Sequence, residues 1–222
     1  MKHLSKFEYV LKKHFNLLIL MLFITSLSFA QTEQKLLSNA LEKAKAKDYQ
    51  GAKVDLQKVL ELNPNNFSAN INYAIIVYEV FNDKQTSKQH LERAIEIKPE
   101  DYEVYNAYGI LLNDGFKDTA RAKEAYEKAI KLNPKYAEAY NNLGLLMIER
   151  YYNKEAAKIY YEKAIKLKPK YSAALFNYAL LLKHSFNDKK NAEKYYLMAS
   201  DIDKSMKNEK NDKYFGVEKT TK

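Results

Sequence analysis

The stretch EKAIKLNPKYAEAYNNLGLL, Glu127 to Leu146, returns 35 positions later as EKAIKLKPKYSAALFNYALL, Glu162 to Leu181. The same beat runs through the whole chain, whose four prolines stand at 64, 99, 134 and 169. A fixed period of about 20 to 50 residues marks a repeat array, in which each unit is too small to bury its apolar face alone and must stack on its neighbours.

Small residues keep the period. Ala74, Gly109, Gly144 and Ala179 form one column, Ser87, Ala122, Ala157 and Ala192 a second, and Ala94, Ala129, Ala164 and Ala199 a third. Between them larger apolar residues fall at helical spacing, as in Tyr105, Tyr108, Leu111 and Leu112, or Tyr126, Ala129, Ile130 and Leu132, so each repeat reads as two amphipathic helices. The small columns are where two helices approach closely, and leucine at Gly109 or Gly144 should cost about 1–3 kcal/mol through overpacking. Asp48, Asp83, Asp118, Asn153 and Asp188 stand four residues before the Ser/Ala column and predict N-caps worth about 1 kcal/mol each. Proline after IKLN or IKLK then stops the second helix and turns the chain into the next repeat.

These residues resemble the tetratricopeptide repeat (TPR) family, with Gly or Ala in the first helix, Ala and an aromatic in the second, and a closing Pro. AEAYNNLG and AYEKAIKLNP are typical wordings of that family, and the resemblance runs from about Glu33 to Met206. It implies an all-α, right-handed helical-hairpin solenoid of about five repeats, whose concave groove holds peptides or protein surfaces. The expected division is a signal peptide 1–30, repeats at 31–66, 67–101, 102–136, 137–171 and 172–206, and a polar C-terminal tail 207–222. Two departures stand out. From the second repeat on, one extra residue lies between the paired helices, and the aromatic precedes the cap, at Phe81, Phe116, Tyr151 and Phe186; these read as local plugs over the turn. Lys204 also replaces the proline that the period predicts in the last repeat, after which the tail reads as a short capping helix or as polar chain without structure beyond about Asp212.

The first thirty residues have the three-part form of a secretory signal. Lys2, Lys6, Lys12 and Lys13 open it, the apolar run Leu17 to Phe29 follows, and Ser28 and Ala30 supply small residues before a cut at Gln31. The run has 13 residues, short of the roughly 20 that a membrane-spanning helix needs. Export to a periplasm or to the medium is therefore expected, with membrane association at most peripheral. The chain has no cysteine, which excludes a disulfide framework, a thiol nucleophile and a lipidated cysteine. Four lysines and one glutamate leave with the signal, so the formal charge falls from +9 to +6.

An enzyme is not expected, and neither is a cofactor or a metal. His90 and His184 are the histidines left after the cut, and no metal-ligand spacing, Gly-rich phosphate loop or nucleophile motif is present. Glu124 and Glu127 precede Lys128 and Lys131 by four residues, an ordinary pairing of helix-surface charges. Lysines alternate with glutamates and form no stripe, which argues against nucleic acid. The groove carries more information. In register, Asn72, Asn142 and Asn177 form one column of the first helices, interrupted by Ala107, and Asn106 and Asn141 form the column before it. Asparagine amides donate and accept at once, so a ladder of them reads peptide main chain. Glu79, Asp114 and Glu149, followed by His184, form an acidic column near the ends of the same helices. No basic clamp for a carboxylate terminus accompanies them, since Leu37, Leu41, Ile71 and Ile75 occupy such places. The expected function is an exported scaffold that binds a protein or extended peptide in its groove. The alternative is a structural envelope protein that binds anionic lipid or polysaccharide through a basic convex face.

Overall fold

A computed structural model describes residues 2–217; Met1 and residues 218–222 of the expected tail lie outside it. The elements in chain order are α1 (Lys2–Lys45), α2 (Tyr49–Leu62), α3 (Phe67–Glu79), α4 (Lys84–Ile97), α5 (Tyr102–Ile110) with a π-helical turn Leu111–Gly115, α6 (Thr119–Leu132), α7 (Ala137–Glu149), α8 (Lys154–Leu167), α9 (Ser172–Phe186), α10 (Lys189–Ile202) and α11 (Glu209–Phe215). Among the described residues there is no strand, and the helices pack in consecutive pairs, α1 with α2 through α9 with α10. The chain forms two compact units, one ending at Ile97 and one starting at Lys98. The first closes α1–α3 around Ala40, Ala52, Leu56, Val59, Ala69 and Ile76, with α4 paired on α3. The second closes α5–α11 around Leu112, Tyr126, Leu143, Leu146, Tyr161, Tyr178 and Tyr196.

Local chemistry sets the helix boundaries. Asp48, Asp83, Asp118, Asn153 and Asp188 each accept the backbone N–H three residues on, at 2.9, 3.0, 3.2, 3.0 and 3.1 Å. The side chain thereby satisfies a donor that the first helical turn leaves without a partner. The extra residue lies in the turns before α4, α6, α8 and α10. There the N–H of Asp83, Asp118, Asn153 or Asp188 reaches the carbonyl six residues back, whereas that of Asp48 reaches Lys43, five back. Each turn passes through one left-handed residue, Lys47, Asn82, Lys117, Tyr152 or Asn187, with φ between 53° and 64°. In the third pair the first helix also ends in the π turn, where the Phe116 N–H bonds to the Leu111 carbonyl five residues back. Beyond each second helix, Asn66, Asp101, Tyr136 and Tyr171 donate to carbonyls three residues back, closing the proline turn.

The small columns are packed as their size requires. Ala74, Ala94, Ala122, Ala129, Ala157, Ala164, Ala179, Ala192 and Ala199 are fully buried. A Cβ on Gly109 would lie 2.6 Å from the Tyr126 ring, and one on Gly144 2.8 Å from that of Tyr161. Seventeen residues separate each glycine from its tyrosine, and the same spacing pairs Ala74 with Leu91. At Gly109 and Gly144 the larger ring is met by the smaller residue, while the same spacing also pairs Ala179 with Tyr196.

The two ends add features of their own. α1 is continuous through the expected cut site, and Phe15, Leu17, Leu18, Ile19, Met21, Leu27 and Phe29 are exposed along it. Glu33 in α1 accepts from the side-chain amides of Asn63 at 2.9 Å and Asn66 at 2.6 Å. No helix of the described residues is long and apolar enough to cross a membrane. At the other end, Asp203 caps a short 3-10 turn, Lys204–Met206, where the proline is missing, and the chain then forms α11. Phe215 is buried, its ring stacked on that of Tyr196 at 4.4 Å between centroids, and the Tyr196 hydroxyl donates to Asp212 at 2.5 Å. The polar stretch thus carries an apolar anchor, Phe215 with Tyr214 and Val217 packed beside it, that covers the last pair, as terminal units of a repeat array do.

Two smaller readings change with the structure. The turn aromatics divide: Phe81 and Tyr151 are exposed edge covers, whereas Phe116 and Phe186 are partly buried, Phe186 against the core. Phe81 and Tyr151 stay 37% and 43% exposed, and Lys53 lies over Phe81 at 4.3 Å while Lys158 lies over Phe186 at 5.3 Å. A lysine stem shields such a ring while its charge stays in water. Glu127 pairs backwards with Lys123 at 2.7 Å, because Lys123 lies one turn earlier on the same face.

Candidate functional site

In the second unit the first helices of successive pairs, α5, α7 and α9, are neighbours and present one shared face. Four of the five candidate asparagines meet on it. Asn177 Nδ2 donates to Asn141 Oδ1 at 3.0 Å, Asn141 Nδ2 to Asn142 Oδ1 at 3.3 Å, and Asn142 Nδ2 to Asn106 Oδ1 at 2.9 Å. Asn106 and Asn141 are buried, and Asn142 and Asn177 half-buried. The amides thus form one continuous chain across three helices. Asn72 belongs to the first unit, where it donates to the Ser68 carbonyl of its own helix at 2.8 Å. The links between helices join residues 36 apart, Asn106 with Asn142 and Asn141 with Asn177. A column aligned at 35 misses them, and the diagonal spacing of 36 is the signal that would have found them.

All three candidate acids are exposed at the ends of their helices. Glu79 ends α3 in the first unit. Asp114 lies in the π turn and accepts from Asn113 Nδ2 at 2.7 Å, while the buried Asn113 Oδ1 has no hydrogen-bond partner among the described residues. Glu149 ends α7 and borders a cleft of about 210 Å³ between α7 and α9, walled by Leu145, Ile148, Leu180, Leu181 and Tyr161. Asn177, the end of the amide chain, opens into it, as do His184 and Ser185. Burial raises the Tyr161 hydroxyl well above its ordinary value, and the Glu149 carboxylate adds to the shift. His184 is held from α11 by a hydrogen bond with the Tyr214 hydroxyl, a contact that the polar wording of the tail did not signal.

The first unit has a second polar cluster. The buried Asn70 donates its Nδ2 to the carbonyls of Pro64 at 3.0 Å and Asn66 at 2.8 Å, which turns its Oδ1 toward His90 Nδ1, 2.8 Å away. Nδ1 must therefore carry the proton. Burial lowers the pKa of His90, so the ring is held neutral, and it packs edge-on to Tyr73 at 4.8 Å. The bond to the turn carbonyl recurs in the second unit, where Tyr105 and Tyr140 donate to the carbonyls of Pro99 and Pro134 at 3.2 and 3.3 Å. Asn70 therefore does the structural work of a repeat position. Among the described residues no three His, Cys, Asp or Glu side chains are grouped to hold a metal ion.

A TPR repeat model of protein families matches residues 118–149, and a second tetratricopeptide repeat model matches residues 137–171. No curated protein matches the chain. Among solved structures the chain is similar to MamA, at 24% identity over 79% of this chain and 94% of that one, with a TM-score of 0.59. It is similar to PilW, described as a widely conserved type IV pilus biogenesis factor, at 21% identity over 84% and 83% of the two chains, with a TM-score of 0.71. YrrB, described as a TPR protein with an unusual peptide-binding site, shares the fold at 18% identity over 76% and 85%, with a TM-score of 0.53. Periodic sequence, capped helix pairs and matched repeat models agree, and residues 118–171 of the chain are tetratricopeptide repeats.

Proposed function

We propose that the chain is an exported, non-enzymatic scaffold that recruits another protein through the face built by α5, α7 and α9. The observation that carries this reading is the amide chain from Asn177 to Asn106. An amide has two N–H groups and two acceptor lone pairs. Asn142 spends one of each within the chain, so its plane is fixed while a donor and an acceptor remain for a ligand main chain. A fixed set of donors and acceptors binds with less ordering cost than a mobile one. YrrB, described by its peptide-binding site, supports a peptide or protein as the ligand class.

Export is part of the proposal. The basic start, the apolar run and the small residues before Gln31 have the pattern of a cleaved signal, and Glu33, just past the cut, is tied to α2's end by Asn63 and Asn66. Protein recovered from the envelope or the medium should begin at Gln31 on N-terminal sequencing. An intact Lys2–Ala30 segment on that protein would overturn cleavage.

The binding face is tested by crosslinking in the native envelope and mass spectrometry, with the folded variant Asn106→Ala/Asn142→Ala/Asn177→Ala alongside. A partner captured by the wild type and lost from the variant is expected. A partner held equally by both would remove the amide face from the account. One observation favours the second reading, a basic face on anionic lipid or polysaccharide: lysines of the second helices are displayed over half-exposed rings, Lys53 on Phe81 and Lys158 on Phe186. That reading predicts salt-sensitive pelleting with anionic vesicles or envelope polysaccharide, since exposed charges are screened over about 10 Å at 0.1 M salt.

A further inference from the structure

The cleft between α7 and α9 has the size of one side chain. An apolar cavity of about 150 Å³ already accepts a benzene ring, and this one measures about 210 Å³. Drug-sized ligands need roughly 300 Å³ or more. Leu145, Ile148, Leu180 and Leu181 give it apolar walls, with the Asn177 amide and the Glu149 carboxylate at its edge. Among the described residues no lysine, arginine or histidine pairs with Glu149. Two lysines of the same unit are engaged elsewhere, Lys154 on the Ser185 carbonyl at 3.1 Å and Lys183 over the Tyr214 ring at 4.2 Å. A carboxylate without a counter-ion beside low-dielectric walls attracts a cation more strongly than one surrounded by water.

We infer that the cleft is an anchor site for an extended segment of a partner protein, in which an aromatic or large aliphatic side chain fills the cavity and a nearby lysine or arginine pairs with Glu149. In an extended segment, residues two apart face the same side, so the basic residue stands two positions from the anchor. Asn177 bonds the main chain between them. The assignment depends on the scaffold reading above and adds the chemistry of the ligand to it.

The test uses the full chain and a labelled Lys-Ser-Phe-Ser-Lys peptide with Gly/Ser flanks, together with counterparts carrying Glu for both lysines or Ala for phenylalanine. Binding is read by fluorescence anisotropy. The Phe/Lys peptide should bind at least about tenfold more tightly than either counterpart, the equivalent of about 1.4 kcal/mol. Glu149→Lys, an exposed change that leaves the core alone, should weaken the Phe/Lys peptide about tenfold and favour the Phe/Glu one. Leu145→Trp, at a half-exposed wall position, should fill the cleft and remove the preference for phenylalanine, with circular dichroism checking the fold. No binding, equal binding of the three peptides, or binding that survives Glu149→Lys overturns the anchor site. Self-association lost in Glu149→Lys would make a second copy the occupant and overturn it equally. A crosslinked partner that depends on the asparagines but not on Glu149 or Leu145 would leave the scaffold reading standing while the anchor site falls.

Discussion

At the scale of the residue, the packing between paired helices is a matter of matched sizes. Gly144 leaves room for the Tyr161 ring, and a Cβ there would come within 2.8 Å of ring carbon. Because that ring is fully buried and cannot swing away, Gly144→Ala should destabilise the protein by about 1–3 kcal/mol. Tyr161→Leu in the same chain reproduces the Ala74/Leu91 combination and should recover part of the loss, so a double-mutant cycle in urea should show coupling of about 1 kcal/mol; simple additivity would remove the size-matching account. His90 gives a pH dependence of known sign. Burial lowers its folded pKa below the ordinary 6.5, so as pH falls the unfolded chain takes up the proton first. The contribution of the neutral ring is fully present above about pH 6.5 and is lost as pH drops through the folded value. Between pH 7.5 and 5 the wild type should lose more of its urea midpoint than His90→Gln does.

At the scale of the element, each boundary has a local cause, and the caps and turns follow from residues adjacent in sequence. α11 differs, because a seven-residue helix is too short to persist alone in water and depends on Phe215. Its ring is stacked at 4.4 Å on Tyr196 and lies 5.9 Å from Phe176. Phe215→Ala should cost about 3 kcal/mol, the low end for a buried phenylalanine, since the short helix can detach and limit the damage. Circular dichroism in urea would measure it, together with faster amide exchange over Glu209–Phe215. A cost near zero would mean that α11 does not cover the last pair.

At the scale of the whole molecule, the 19 tyrosines are the main aromatic material of the core, and their hydroxyls report on it. Burial, with help from nearby carboxylates, pushes Tyr171 and Tyr196 up to about 12 and raises Tyr136, Tyr161 and Tyr178 further. A raised tyrosine pKa means that the folded state prefers the neutral ring, so this stability is complete below pH 10 and is lost as pH rises through the folded values. Tyrosinate absorbance should therefore rise in two stages, exposed rings near pH 10 and buried rings above it together with loss of helix. In concentrated urea one stage near pH 10 should remain. A single stage in the native protein would contradict the buried tyrosine column.

How much of this was legible in the sequence depends on the distance over which each signal acts. The 35-residue period, the small columns and the five capping residues specify helix pairs locally, since a cap or a close approach is written within a few residues of where it acts. The surplus turn residue was legible for the same reason, as a count. The candidate asparagines were legible as residue types but not as a connected chain, because the 36-residue links run diagonally between helices and need their relative offset. The π turn, the Tyr214 contact with His184 and the anchoring of α11 by Phe215 lie further from reach, each set by a competition between neighbouring elements for the same space. The sequence by itself determined that the chain is an array of capped helix pairs, because local hydrogen bonding and periodic apolar faces leave that chain few other ways to bury its surface. Only the tertiary structure decided which amides meet, which acid borders an apolar cleft and how Phe215 anchors the tail, because those depend on how elements distant in sequence are packed against one another.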